Sequence, residues 1–305
     1  MRGRYRAWQI RTVLRNRLAP GAVVLMYHRV EVSPADGLGL AVSAAHFREH
    51  LAVVRALGVP ARLAGIVAEL NRRHVTRGVV GITFDDGYAD NLLVAKPLLE
   101  NREVPATVFV TSGFVGSESE FWWDEIERIA VATGDDVRDL RVRLRFLAPT
   151  ELEAELGRMR AAAGEVRAPR PSHRALTAEE TARLATGGLV DVGSHTVTHA
   201  ALARLSPLAQ QKELVESRRA LERIVGRPVV SLSYPFGGTA DLSASTAAMA
   251  ARCGYQLACA NWPGTVTRDT DKMRLPRFPV RDWDGDEFAK HLGAWLVGRR
   301  VLASD

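Results

Sequence analysis

The sequence predicts an α/β fold built on a parallel sheet, and three observations carry the prediction. Apolar, β-branched runs recur near 23–28, 79–84, 106–111, 189–193, 229–234 and 256–260. Helical stretches lie between them, and several runs stop at turn residues such as Asp86-Gly87. Short apolar runs without alternation read as strands buried on both faces, and strands alternating with helices imply right-handed parallel crossovers. The order supports a barrel, although an open doubly wound sheet would fit the same pattern.

The elements follow in order. Residues 1–20 form a basic arm in which Arg2, Arg4, Arg6, Arg11, Arg15 and Arg17 alternate with Trp8, Ile10, Val13 and Leu14. Such an amphipathic arm could associate peripherally with an anionic membrane surface. Residues 21–305 read as one domain, because no repeat or low-complexity linker divides them. The first strand ends in Tyr27-His28, and the helix at 44–57 carries His46 and His50, expected on a solvated face. The second strand runs into Asp85-Asp86-Gly87 and a helix over 89–101. After the strand at 106–111 comes the least barrel-like region, about 113–175, with Phe121-Trp122-Trp123-Asp124, helices near 124–132 and 151–163, and a Pro/Arg-rich loop. It reads as an insertion that shapes a substrate groove. The strand at 189–193 leads into His195 and His199, whose i, i+4 spacing would put both rings on one side if a helical turn followed. A helix at 207–225, a strand ending in Tyr234-Pro235-Phe236-Gly237, a helix at 243–253 and a last strand complete the alternation.

Composition excludes some classes. The 305 residues carry 41 Lys and Arg against 35 Asp and Glu, a formal charge of +6, and lysine occurs only at Lys96, Lys212, Lys272 and Lys290. Nearly all positive charge is therefore guanidinium, which suits phosphate, although genomic nucleotide bias explains much of it. No nucleic-acid motif accompanies the arginines, so no nucleic-acid partner is expected. Cys253 and Cys259 are too few for a disulfide framework and read as structural thiols. The N-terminus lacks the apolar stretch of a secretory signal, and no run is apolar enough to span a membrane, so a cytoplasmic location is expected, with the arm at the inner membrane surface.

The two aspartates and two histidines have the donor types of a hydrolytic metal site. Zn²⁺ binds imidazole nitrogen and carboxylate oxygen at about 2.0–2.2 Å, and three protein ligands with one open position is its catalytic arrangement. Neighbouring residues after a strand diverge, so one aspartate can bind a cation while the other accepts a proton from water. Either segment alone would be a weak signal; both together, each directly after a buried-strand pattern, are a stronger one.

On these residues the chain resembles the carbohydrate esterase family 4 polysaccharide deacetylases, the NodB-homology domain, over roughly 23–283. Thr83-Phe84-Asp85-Asp86-Gly87 matches the first family motif unchanged, and His195-Thr196-Val197-Thr198-His199 matches the second. The resemblance implies a distorted (β/α)7 barrel, Asp85 as general base, and Asp86, His195 and His199 as ligands of a divalent metal, with Zn²⁺ the expected ion. In the third motif Pro235-Phe236-Gly237 is kept, and the Phe236 N–H would bind the oxyanion, but the usual preceding arginine is absent. Leu275-Pro276-Arg277 resembles the segment that supplies this guanidinium in one branch, so Arg277 would orient Asp85. For the general acid, Ala289-Lys290-His291-Leu292 matches the C-terminal histidine motif poorly. A circularly permuted branch supplies the acid from a strand ending in Tyr-His, which favours His28 over His291. Tyr88, Tyr234, Trp122 and Trp123 are candidate substrate contacts, the tryptophans by stacking, though a pair beside a helix start is as often packing.

The expected activity is removal of an N-acetyl group from an amino sugar that is lipid-linked, nucleotide-linked or metabolite-linked. A deformylase or other C–N hydrolase on the same scaffold is the nearest rival, and a catalytically silent carbohydrate-binding protein is the rival of another class.

Overall fold

The computed structural model describes residues 21–31, 38–164 and 168–299. The basic arm at 1–20, with its expected membrane contact, lies outside the described residues. The sheet contains β1 (Val23–Tyr27), β4 (Val59–Pro60), β5 (Val79–Phe84), β6 (Ala106–Val110), β7 (Val190–Ser194), β8 (Ser231–Ser233), β9 (Leu257–Cys259) and β10 (Phe278–Pro279). All pairs are parallel, in the order β10-β1-β5-β6-β7-β8-β9, with β4 beside β5. β2 (Arg29–Glu31) and β3 (Ala41–Ser43) form a separate parallel pair. The sheet curls into a barrel rather than opening flat: Leu275 bridges Cys259 at one edge, and Phe278 pairs with Leu25 at the other. Segment 275–279 therefore spans the two edges, which puts Arg277 between them.

The continuous apolar runs are buried on both faces. In β1, Val23, Leu25 and Tyr27 join one core cluster and Val24 another, which is the period-two alternation of a strand. The same parity in β5 sends Val80, Ile82 and Phe84 to the first cluster and leaves Gly81, Thr83 and, one step beyond, Asp85 on the opposite face. The polar residues of this strand end thus share the face that the curl turns inward.

Helices α1 (Ala44–Leu57) and α2 (Leu63–Asn71) flank the first strands. Ser43 caps α1, its Oγ accepting from the His46 N–H at 3.2 Å. The cap is worth about 1 kcal/mol, whereas burial of Phe47, Leu51, Val54 and Leu57 contributes about 1.5–3 kcal/mol each, so packing holds the helix. The expected helix at 89–101 instead begins as a π-helical turn, Asn91–Ala95, before α3 (Lys96–Arg102). The widened turn lets Asp90 Oδ1 accept from the Val30 N–H and Asn91 Nδ2 donate to the His28 carbonyl, tying this segment to the end of β1.

The insertion holds α4 (Trp122–Thr133), α5 (Val137–Leu144) and α6 (Pro149–Ala163). The middle helix is not apparent in the sequence, because its run VRDLRVRL offers little beyond Leu140 and Leu144, both buried against Trp122, Trp123 and Ile126. The barrel then continues through α7 (Ala178–Leu184), α8 (Pro207–Val225), α9 (Ala244–Arg252) and α10 (Gly285–Leu296). Among the described residues no helix is long and apolar enough to cross a membrane.

His50 departs from the solvated face expected for it. It is fully buried, stacked on Phe288 at 4.1 Å, with Nε2 donating to the Trp283 carbonyl and Nδ1 accepting from the Tyr27 hydroxyl. His46, on the rim, pairs with Asp282 at 2.7 Å. The first helix packs inward against α10, and position 50 falls on that seam. Burial pulls the His50 pKa down to about 4, below an unfolded value near 6.5. Its contribution is thus complete above pH ~6.5 and lost as the pH falls toward 4, because the unfolded chain binds the proton more readily there. Urea unfolding should show up to about 3 kcal/mol less stability at pH 4.5 than at 7.5, and His50→Gln should flatten the decline; an unchanged slope in that variant would remove His50 as the cause.

Candidate functional site

At the C-terminal end of β5 the chain turns sharply, with Gly87 at φ +85° under Val110. Asp85 and Asp86 leave the strand in different directions. Asp86 faces the loop after β7, where His195 Nε2 lies 3.4 Å and His199 Nε2 3.5 Å from its Oδ1. All three residues are buried, at 3 %, 2 % and 7 % exposure. Two ligand atoms at 2.0–2.2 Å from a common tetrahedral centre stand about 3.3–3.6 Å apart, so these separations suit an ion between the three heads. His195 Nδ1 donates to the Ser233 carbonyl at 2.8 Å, which turns the Nε2 lone pair toward Asp86. His199 Nδ1 is buried without a partner. The donor set therefore fits a divalent cation.

The two rings are not brought together by a helical turn, as the i, i+4 spacing suggests. The segment after β7 is a bend in which Thr196 and His199 both take left-handed backbone, φ +66° and +59°. Glu213 on α8 shapes it: one carboxylate oxygen accepts from the N–H groups of Val197 and Thr198 at 2.8 and 2.9 Å, and the other from the Thr198 hydroxyl. Six non-glycine residues have positive φ among the described residues, and Asp86, Thr196, His199 and Phe236 are four of them. Each such conformation costs roughly 1–2 kcal/mol, so their concentration here marks a site the surrounding packing holds in place.

Asp85 faces the barrel interior. Arg277 grips it with two parallel bonds, Nη1 to Oδ1 and Nη2 to Oδ2, both 2.7 Å. The guanidinium is fully buried and also donates to Thr83 Oγ1, Ser233 Oγ and the Ala260 carbonyl. Burial pushes the Asp85 pKa upward, but the charges of Arg277 and His195 and the Arg277 hydrogen bonds outweigh it and hold the carboxyl far below the usual range. Ser233, not singled out in the sequence, serves both halves: its hydroxyl donates to Asp85 Oδ2 at 3.2 Å and its carbonyl accepts from His195. Its only sequence signal is its place at the end of a buried strand.

The remaining candidates divide. Phe236 takes φ +59°, its ring lies 4.8 Å from that of His199, and among the described residues its N–H meets no acceptor. His28 follows β1, is partly exposed, and lies within the fields of both aspartates; burial is the largest influence and lowers its pKa. His291 is elsewhere: on α10 it stacks on Trp283 at 4.0 Å, with Glu287 beside it. Tyr234 is also removed from the site, because it points into an apolar cluster and donates to the Met273 carbonyl at 3.0 Å. Tyr88 and Trp123 are buried supports rather than open contacts: Trp123 donates to the Tyr88 hydroxyl, which donates to Asp124, while the Trp123 ring packs 4.3 Å from His199. Trp122, though 4 % exposed, lines a cavity of about 180 Å³ beside His199, with Leu144, Arg145, Leu152 and Phe236. Residues between β6 and β7 thus supply one wall of this cavity.

A second triad, Asp124, Glu127 and His173, also gathers three potential donors. Arg170 binds Glu127 and the Asp124 carbonyl, and the Arg29 charge acts on both Asp124 and His173, so guanidinium already neutralises this cluster. The arrangement around Asp86 is the one suited to a cation.

A sequence model described as polysaccharide deacetylase matches residues 72–258. The YxkH protein of Bacillus subtilis (strain 168), provisionally named a polysaccharide deacetylase, is 23 % identical over 260 residues, 84 % of this chain and 70 % of its own length. Among solved structures, the Streptococcus pyogenes deacetylase PplD in complex with acetate aligns with a TM-score of 0.64 at 19 % identity, covering 90 % of this chain and 99 % of that one. IcaB from Ammonifex degensii aligns at 0.63 and 20 % identity, covering 91 % and 97 %. At these identities the structural likeness is one of fold.

Proposed function

The chain belongs to the polysaccharide deacetylase family, and from that premise we propose that it is a metal-dependent hydrolase removing an N-acetyl group from an amino sugar. The observation that carries the reading is the triangle of Asp86, His195 and His199 heads beside an Asp85 carboxylate held by Arg277. Asp86, His195 and His199 would hold the ion, with Zn²⁺ the first choice of several that such donors accept. When bound, a divalent ion polarises an amide carbonyl and makes water more acidic. Asp85, anionic at every physiological pH, takes the proton from the attacking water. The Phe236 N–H donates to the oxygen on which negative charge develops, and its left-handed backbone is what aims it. His28, after the end of β1, gives a proton to the departing amine and is restored by the one Asp85 took from water, so the proton count closes. A cytoplasmic setting would favour lipid-linked, nucleotide-linked or metabolite-linked sugars over a mature wall polymer.

The test is acetate release from N-acetylated glucosamine oligomers by Zn²⁺-loaded protein. Chelation should abolish release and added ion restore it; His195→Ala should lose bound metal, and His28→Ala should keep metal with kcat lowered about 10²-fold or more. Formate in place of acetate from matched formylated sugars would transfer the assignment to a deformylase. Stoichiometric metal with no release from any amido sugar would sink the catalytic reading in favour of a binding protein.

A further inference from the structure

Helix α5 of the insertion carries three arginines on one face, Arg138, Arg141 and, just past its end, Arg145, at the i, i+3, i+7 spacing that aligns side chains along a helix. Arg145 fixes where this face points. Its Nη2 binds buried Asp241 at 2.6 Å, and its guanidinium lies 4.6 Å from the centre of the Phe236 ring, itself 4.8 Å from His199. One turn back, Arg141 is half-buried, and its charge reaches Asp86, Tyr88, His28 and His199. A further turn back, Arg138 is exposed. The row thus runs from solvent to the mouth of the site.

What distinguishes Arg138 and Arg141 is what they lack. Every other described arginine of the insertion has a carboxylate partner: Arg128 with Glu120, Arg143 with Glu155, Arg160 with Glu125, Arg170 with Glu127, and likewise Arg145, Arg158 and Arg174. The Arg138 and Arg141 side chains make no hydrogen bond or ion pair among the described residues. Holding an unpaired guanidinium partly out of water at a site mouth is costly unless an anion arrives to meet it.

We propose that Arg138 and Arg141 bind a phosphate or diphosphate group carried by the amino-sugar substrate, so that the acetamido group reaches the Asp86, His195 and His199 centre while the charged substituent lies along α5. The guanidinium fork matches phosphate oxygens, and two forks one turn apart can straddle a phosphodiester or diphosphate better than a single carboxylate. The inference rests on the deacetylase reading and adds the charge of the substrate to it. Nucleotide and lipid carriers share this chemistry.

The experiment compares N-acetylglucosamine with its 1-phosphate on the metal-loaded protein. The unchanged protein should favour the phosphate in kcat/KM, and Arg141→Gln and Arg138→Gln should each cut the ratio between the two substrates about tenfold, chiefly through KM. Arg143→Gln, on the opposite face, should leave the ratio as it was. A merely structural role would depress both substrates alike, so an unchanged ratio in Arg141→Gln overturns the proposal. If neither these substrates nor any N-acetylated glucosamine oligomer is hydrolysed, the deacetylase reading fails by itself; calorimetry with the sugar phosphate then decides the anion site, which falls if Arg141→Gln binds as the unchanged protein does. UDP-N-acetylglucosamine and a short-chain prenyl diphosphate of the same sugar, as separate arms, distinguish the two carriers.

Discussion

Replacing Asp85 with asparagine is expected to lower kcat by about 10²–10⁴-fold while leaving the metal content unchanged. The side chain keeps its size but loses the basic oxygen, and neither neighbouring oxygen-bearing side chain replaces it. Asp86 is committed to the histidine pair, and Ser233 donates rather than accepts toward position 85. Asparagine also offers Arg277 one acceptor oxygen at position 85 where the carboxylate offers two, and removes its counter-charge, so the variant should be less stable, and turnover has to be normalised to folded, metal-bound protein. The unaltered triangle of Asp86, His195 and His199 keeps the ion in place. Metal analysis beside acetate release checks both halves. Turnover within a fewfold of the parent would remove Asp85 from proton transfer, and loss of metal would mean that Asp85 belongs to the ligand set.

Much of the fold was legible because buried parallel strands write themselves as unbroken apolar runs, and the six runs in the sequence correspond to β1, β5, β6, β7, β8 and β9. Two-residue β10 was not, since Phe278-Pro279 has neither length nor pattern, yet it carries the register that sets Arg277 inside the curl. Position after a strand was likewise readable for Asp85, Asp86 and His195. The backbone that joins His195 to His199 was not: left-handed φ at Thr196 and His199 is intrinsically disfavoured, and it depends on Glu213, a helix residue brought near only by the tertiary fold. Ser233 is illegible for the same reason, because its role lies in a contact to Asp85 across 148 residues of chain. Tyr234 is the opposite case. It sits beside the Pro235-Phe236 turn in sequence, but strand alternation sends its side chain away from the site and into the apolar cluster around Leu214 and Met273.

Removing Arg277 should produce the largest loss of stability of any single change at the site, about 3–5 kcal/mol for Arg277→Met, because it strands a buried carboxylate without its counter-charge. The loss should depend on pH in a defined direction. With Arg277 present, the folded Asp85 pKa lies below its unfolded value, so the pair stabilises the protein above pH ~4 and that stabilisation fades only in strong acid. Without Arg277, desolvation dominates and the folded pKa rises above the unfolded one. The folded variant then binds the proton more readily than the unfolded chain, so its deficit relative to the parent is greatest at pH 8 and shrinks as the pH falls toward 5. Activity per folded molecule should lose its low-pH range first, since the base must be ionised to act. Combining Arg277→Met with Asp85→Asn removes both charges and should recover part of the stability with no return of turnover, a coupling of at least about 1 kcal/mol. Denaturant titrations of the parent, both single variants and the double at pH 5 and 8 measure these quantities together. Equal deficits at the two pH values, or strict additivity in the double, would show that Arg277 holds the fold by its volume and its bonds to Thr83 and Ala260 rather than by keeping Asp85 charged.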